Sequence, residues 1–492
     1  MKNNNKKDDT KIINIVTSIM GILLIVLTVS LMYAFYKSNV LKLSYIIVIG
    51  IIVLLIDTLL IVKLENKNKS KYKRYVTSFI SLIFVFIYGI IISYIIDTVK
   101  FVSNISKINN YEYQTYSVMV PDKSNIKNIK ELDDKIIGFI SNSTYLKESK
   151  ETLSKKAKIA FKSKDYEDTA SIINALNNNN NDINAITFEN TYVELLKENN
   201  SDVFNDLRVI YTYKVKIKVN KKMKESSSFD ITNNSFVVYI SGSDSRGKLS
   251  DTARSDVNIV AVVNPKTNKI LLVSIPRDYY VQLHGTTGVK DKLTHAGIYG
   301  VDMSKNTISD LLDTNIDYYL KVGFDTVTDL VDVIGGIDVY SDQVLNLKGR
   351  NNKKCDFYIG TNSVDGACAL AFARERKSYT SGDRHRGENQ QEIITAIIEK
   401  ISSNPSILVK YKDILKALDS SFETNMSYED ITTLIKEELT SLTKWEVESI
   451  SLDGTGSSES TYSMGSQKLY VMIPDETTVN NAKEKINEYL QK

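Results

Sequence analysis

Three runs of apolar residues dominate the first hundred positions. Ile12 to Tyr36 carries no charge, Leu43 to Val62 carries only Asp57, and Val76 to Ile96 carries none. Each reaches the roughly 20 residues that cross about 30 Å of hydrocarbon as a helix. The first is too long for a signal-peptide core, and no small-residue cleavage site follows it before Lys37, so it reads as an uncleaved anchor. A lone acid at membrane depth such as Asp57 can mark a functional site. With no second charge at that depth, helix packing is the preferred reading.

Beyond Lys100 the pattern changes to short mixed segments. Tyr116 to Val120 and Lys135 to Ile140 read as strands, with a turn and short helix over Asn125 to Asp134 between them. Asn177 to Asn181 is a polar loop, Ala185 to Glu189 a further strand, and Leu207 to Val219 alternates apolar and polar positions. These segments predict a small α/β or α+β domain over 105–222, and the polar stretch 223–234 reads as a linker. Val237 to Ile240, Val257 to Val263 and Lys269 to Ile275 are β-branched strands of the buried type. Asp302 to Asp313, Phe324 to Val333 and Glu388 to Ile401 have helical spacing. This alternation predicts an α/β/α layered domain with a mixed sheet over 235–488, large enough for an enzyme.

Charge sharpens the division. Residues 1–100 hold thirteen Lys and Arg against five Asp and Glu, a net +8, which leaves −5 for the rest of a 492-residue chain whose total is +3. A nucleic-acid binder carries its basic excess on a globular domain, so that class is excluded. Lys2, Lys6, Lys7 and Lys11 precede the first span, and Lys63, Lys67, Lys69, Lys71, Lys73 and Arg74 crowd the second loop. Positive-inside reasoning puts both in the cytoplasm and everything after about residue 99 outside the cell membrane.

The chain uses ten arginines and fifty-two lysines, and eight of the ten arginines fall between Arg246 and Arg386. Where only charge is needed, this sequence uses lysine. Arginine adds a planar fork that grips phosphate or carboxylate through two parallel hydrogen bonds, so selective arginine points to an anion site. Arginines capping strand ends or paired with nearby acids are the structural alternative. Carboxylates interleave with them. Asp244 follows the first strand of the second domain, Asp256 opens the next, and Asp278 follows Ile275-Pro276-Arg277. Acids at strand ends on one rim suit Mg²⁺, which takes one or two carboxylates plus substrate phosphate oxygens. Asp383, Arg386 and Gln390 share one face of a helix that starts near Asp383. Ile393, Ile394, Ile397, Ile398 and Ile401 supply its apolar stripe, and Gln391 and Glu392 are expected to face solvent.

These residues carry a family resemblance. Gly-Ser-Asp-Ser-Arg (242–246), Arg-Ser-Asp (254–256), Ser-Ile-Pro-Arg-Asp (274–278) and Gly-Gly-Ile-Asp-Val (335–339) resemble motifs of LytR-CpsA-Psr proteins. Ala-Arg-Glu-Arg (373–376) and Asp-x-x-Arg-x-x-x-Gln (383–390) complete the set in the family's order over about 235–405. Three spans and an accessory domain ahead of such a domain also resemble the capsule-associated branch. The resemblance implies a phosphotransferase that moves a glycopolymer from a polyprenyl pyrophosphate carrier onto a muramic acid hydroxyl of peptidoglycan, leaving a phosphodiester. It implies Mg²⁺ at Asp244 and Asp256, with either acid helping to deprotonate the acceptor. It implies pyrophosphate binding by Arg277, Arg374, Arg376 and Arg386, oriented by Asp383 and Gln390, with Lys292 near the phosphates. Arg254 and Asp278 match further motif positions, and His295 stands where the family often shows Asn. Two other readings remain: a pyrophosphatase acting on lipid carriers, and a non-catalytic scaffold of polysaccharide export.

Cys355 and Cys368 are the only cysteines, thirteen positions apart. On an exported domain they either oxidise to a disulfide, contributing roughly 3 kcal/mol in the chain-entropy picture, or leave Cys368 as a buried thiol. His284, His295 and His385 have no zinc-like spacing, and no nucleophile elbow is present, which excludes a metalloprotease or triad hydrolase.

Overall fold

Long helices Lys2–Ser38, Leu43–Glu65 and Lys71–Ile105 open the chain. They contain three stretches long and apolar enough to cross a membrane: Lys11–Ser38, Leu43–Glu65 and Lys71–Asn104. In the computed structural model the described residues are 2–66, 68, 70–106, 111–141, 143, 145–167, 169–177, 182–193, 205–218, 230–243, 253–404, 407, 413–414, 417, 422–441 and 444–491. Asp57 is buried and accepts hydrogen bonds from Thr28 Oγ1 and, at 3.0 Å, from Tyr88 Oη. One carboxylate thus joins all three helices, as the packing reading expects. Arg74 does the same at the other end, donating to Leu64 O, Asn14 Oδ1 and Thr17 Oγ1 at 2.7–3.0 Å.

The next sheet holds β1 (Tyr111–Pro121), β2 (Ile136–Ile140), β3 (Lys162–Tyr166), β4 (Ala185–Glu189) and β5 (Leu207–Lys218) in the order β3-β2-β4-β1-β5. Helices Leu146–Ala157 and Thr169–Asn177 cover it. Most of the predicted 223–234 linker and Asn178 to Asn181 lie outside the described residues.

The second sheet begins with β6 (Phe236–Ser243), β7 (Val257–Asn264) and β8 (Lys269–Ser274), an antiparallel meander. After the short pair β9 (Tyr280–Val281) and β10 (Asp291–Lys292), β11 (Tyr318–Gly323) adds parallel to β6. The paired segments β12 (Ile337–Ser341) to β15 (Gly360–Val364) stand apart from it. Edge strands β16 (Phe422–Thr424) and β17 (Glu446–Ser451) complete a mixed six-stranded sheet, β16-β11-β6-β7-β8-β17. The hairpin of β18 (Gly454–Thr461) and β19 (Gly465–Pro474) follows.

Alternation along each strand builds two cores. Val260, Val262, Leu271 and Val273 meet helices Val301–Leu312 and Glu476–Gln491 through Ile308, Leu312, Val479 and Ile486. Ile259, Ala261, Ile270 and Leu272 meet Ile394 and Ile398 of helix Asp383–Ser403 on the opposite face. That helix is wedged rather than half-exposed, because Ile393 and Ile397 pack into a third cluster with Val339 and Phe372. Two expectations are corrected by this. Gln391 is 2% exposed and donates to Leu272 O at 2.9 Å and Ile450 O at 2.8 Å. Glu392 is half-buried, accepting from Tyr340 N at 2.7 Å, whereas Ile401, past the sheet, is 37% exposed.

Cys355 on β14 (Lys354–Phe357) is joined by a disulfide to Cys368 in the first turn of helix Gly366–Arg374, with the Cα atoms 5.4 Å apart. The layered domain rests on the membrane helices where the first ends, the second starts and the third ends. Tyr428 Oη donates to Ser38 O, Lys42 Nζ pairs with Glu437 at 2.9 Å, and Phe101 and Val102 pack on Tyr428, Ile431 and Ile435.

Candidate active site

The strand ends of β6, β7 and β8 and the start of helix Asp383–Ser403 converge on one rim. Asp256 precedes β7, its N–H bonded to Gly242 O at 2.8 Å, and Arg277 follows the Ile275-Pro276 turn after β8. Gly387 lets the helix close on them: a Cβ there would lie 2.4 Å from Ser274 Oγ. Arg386, one residue earlier, is thereby laid across the strand ends.

The charged groups interlock. Arg277 Nη1 donates to Asp256 Oδ1 at 2.8 Å, and Thr294 Oγ1 approaches the same oxygen at 3.4 Å. Arg277 Nε lies 3.8 Å from Asp278 and 3.9 Å from Asp383, beyond hydrogen-bond reach. Arg386 Nη2 pairs with Asp383 at 2.8 Å, and Lys292 Nζ donates to Asp278 at 2.9 Å. Among the described residues Arg277 Nε and Arg386 Nε are buried donors with no acceptor. A buried orphan donor costs about 1–3 kcal/mol, more when charged, so such donors are expected where a ligand completes the set.

Electrostatics agree. Burial pushes the Asp383 carboxyl up, opposed by Arg386 and Arg277. Burial pulls Arg386 down, and Asp383 only partly restores it. Arg277 is pulled down by burial too, but Asp256, Asp278 and Asp383 together hold it above the usual range. The Arg386 cation is therefore short of negative charge, a deficit that a bound anion would remove.

Asp256, Arg277, Asp383, Arg386 and Gln390 surround a cavity of about 10 Å³, room for about one water. A phosphate group must approach from the rim, where Arg374 and Arg376 are exposed. The charge of Arg376 reaches Asp383 and Arg386. Arg374 stacks its guanidinium 5.4 Å from the Phe324 ring centre. Gln390 is buried, lines the same cavity as Arg277 and Arg386, and donates to Ala373 O at 3.2 Å, so it also holds the end of the helix that presents Arg374. Arg254 is half-buried, and Asp244 lies outside the described residues.

The donors suit a hard divalent cation in kind. Among the described residues no group of three or more His, Cys, Asp or Glu could hold a metal by itself, and Asp256 Oδ1 already receives Arg277. Mg²⁺ needs only one or two carboxylates when phosphate oxygens supply the rest, so this set is compatible with it.

The sequence model of the LytR_cpsA_psr family matches residues 207–488. The chain belongs to the LytR-CpsA-Psr family. Polyisoprenyl-teichoic acid–peptidoglycan teichoic acid transferase TagU of Bacillus licheniformis is 36% identical over 215 residues, covering 43% of this chain and 67% of its own length. TagT of Bacillus subtilis, of the same description, is 36% identical over 241 residues, 48% of this chain and 72% of its own. The crystal structure of B. subtilis TagV is 29% identical over 53% of this chain and 98% of its own, with a TM-score of 0.45.

Two members of the cluster escape a motif reading of this LytR-CpsA-Psr chain. Thr294 gives no signal beyond lying two residues after Lys292. Arg384 Nη1 reaches Asp453 at 2.7 Å across 69 positions; its place in the arginine-rich segment was the only available sign.

His295 is also apart from the phosphate-binding groups. It is buried, with Nδ1 2.6 Å from Asp291 and 2.8 Å from Ser463 Oγ, and so ties the β18–β19 hairpin to the residue before Lys292.

Proposed function

We propose that this protein transfers a glycopolymer phosphate from a polyprenyl pyrophosphate carrier to a hydroxyl of peptidoglycan. The observation that carries the reading is the pair of buried, acceptor-less guanidinium donors of Arg277 and Arg386 beside Asp256. The relatives named above, transferases of polyisoprenyl-linked teichoic acid, support the polymer class.

In the reaction the acceptor oxygen attacks the phosphorus that bears the sugar. The bridging P–O bond to the lipid phosphate breaks, giving a phosphodiester and a polyprenyl phosphate. Arg277 and Arg386 grip the non-bridging oxygens, and Arg374 and Arg376 close over them from the rim. All are charged donors fixed before charge shifts to the leaving group. Asp383 keeps Arg386 in register, and Lys292 is held by Asp278 at the edge. Asp256, with Asp244, would hold Mg²⁺, whose charge would neutralise phosphate oxygens. One of these carboxylates takes the proton of the acceptor hydroxyl. Arg254 sits two residues before Asp256 and contributes to the same rim. The chemistry runs outside the membrane if the lysine-rich ends, Lys2 to Lys11 and Lys63 to Arg74, stay in the cytoplasm.

The test uses the full-length protein in detergent with a short-chain polyprenyl pyrophosphate glycan, Mg²⁺ and peptidoglycan fragments, read by mass spectrometry. A sugar-phosphate adduct that disappears in Arg374→Ala is the expected result. Lipid phosphate released without an adduct would replace the reading with a pyrophosphatase. Lipid bound but unchanged would replace it with a scaffold.

A further inference from the structure

Between the five-stranded sheet and the catalytic domain lies a second cavity, of about 730 Å³. That is within the range of roughly 300–1,000 Å³ in which small-molecule sites fall. Its floor is β1 and β4, and its roof is Tyr299 with the turn Tyr462 to Gly465 of the β18–β19 hairpin. The two domains build it jointly, away from the arginine cluster.

Three independent features describe what it would hold. First, Thr187 on β4 lines the cavity, is 3% exposed, and has no partner for its Oγ1 among the described residues. A hydroxyl buried in that state awaits a ligand or an ordered water. Second, among the described residues the lining contains Glu112, Glu167 and Glu189 but no Lys, Arg or His, in a chain with fifty-two lysines. Carboxylates as the charged side chains of the described lining disfavour an anion and favour a cation. Third, five tyrosines and two phenylalanines line the same space, with Tyr299 edge-on to Tyr462 at 6.2 Å. Aromatic faces beside carboxylates attract ammonium groups.

The carboxylate at the end of β4 is prepared for such a partner. Desolvation lifts Glu189 to about 7, although Thr191 and Gln114 hydrogen bonds hold it down. The groups facing it from neighbouring elements are Glu112 and Gln114 on β1, Glu167 after β3, and Tyr116, Tyr145, Tyr192 and Tyr299. None of them brings a positive charge.

We propose that this inter-domain cavity binds a small polar ligand through a protonated primary amine, with Glu189 taking the ammonium and Thr187 a second polar group of the same molecule. This assignment stands apart from the transferase reading, and its test involves no transfer step.

The test is calorimetric titration of the full-length protein in detergent with glucosamine and with 1,5-diaminopentane. Each is compared with its uncharged counterpart, N-acetylglucosamine and 1,5-pentanediol. The expected result is that at least one amine binds about tenfold or more tightly than its counterpart, and that Glu189→Gln removes the difference. Which amine binds distinguishes an amino sugar from an aliphatic amine as the source of the group. Thr187→Val, which keeps shape and charge, should weaken binding without abolishing the preference, so the assignment does not hang on one variant. No amine binding, equal binding of charged and uncharged probes, or a preference that survives Glu189→Gln in a folded protein would each overturn it.

Discussion

Arg277 donates to Asp256 at 2.8 Å while its Nε, buried, finds no acceptor, so one guanidinium is anchored on one edge and carries an unused donor on another. An anchored fork with an unused donor is pre-organised for phosphate, because its orientation is fixed before the ligand arrives. Arg277→Lys keeps the charge but loses the fork, and transfer should fall about a hundredfold. Arg277→Ala also takes the charged partner from Asp256 and a nearby positive charge from Asp278 and Asp383, which keep Lys292 and Arg386, and should cost about 3–5 kcal/mol of stability. Activity assays and denaturant midpoints on both variants separate the two effects; equal stability loss in both would contradict the fork argument.

Arg374 is exposed and stacked on Phe324. Arg374→Ala should leave stability within about 0.5 kcal/mol of the parent while removing transfer. Unimpaired transfer by this variant would remove Arg374 from the phosphate-binding set.

Gly387 has no room for a side chain against Ser274. Gly387→Ala should cost about 1–3 kcal/mol and displace Arg386. Adding Ser274→Ala removes the clashing oxygen, so the double variant should recover part of the loss. Thermal melts of the four proteins measure the coupling, and strict additivity would deny the contact.

The Cys355–Cys368 bridge pins the helix whose last residue is Arg374. Replacing both cysteines by serine should lower stability by about 3 kcal/mol. A melting temperature indifferent to reductant would show that the bridge contributes little.

Glu189 gives a pH signature. Its folded value, about 7, lies above the ordinary 4.5, so the folded state binds the proton more tightly than the unfolded one. Its contribution is therefore most favourable below pH 4.5 and is lost as pH rises to about 7. Glu189→Gln should flatten that part of the stability profile and be more stable than the parent above pH 7. Parallel profiles for the two proteins would mean that the carboxylate is not desolvated.

The local sequence was enough to place the three apolar spans, several strands and helices of both domains, and the residues expected to form the site. Membrane spans depend on contiguous apolar length, and strands and helices on periods of two and 3.6 residues, all of which can be read along the chain. The arginines stood out because lysine is the default here, and Asp383, Arg386 and Gln390 could be placed on one helix face by counting. Only tertiary structure decided which partners those residues take. Gln391 looked solvent-facing because periodicity describes one apolar stripe, whereas two cores on either side of this helix cover more of it. Arg384 meets Asp453 because β17 packs beside β8, a pairing no local pattern encodes. The 730 Å³ cavity belongs to neither domain alone, since Thr187 and Tyr299 come to line one space only where the two domains meet. Burial, orphan donors and shifted acids are properties of enclosure, and enclosure arises between segments far apart in the chain.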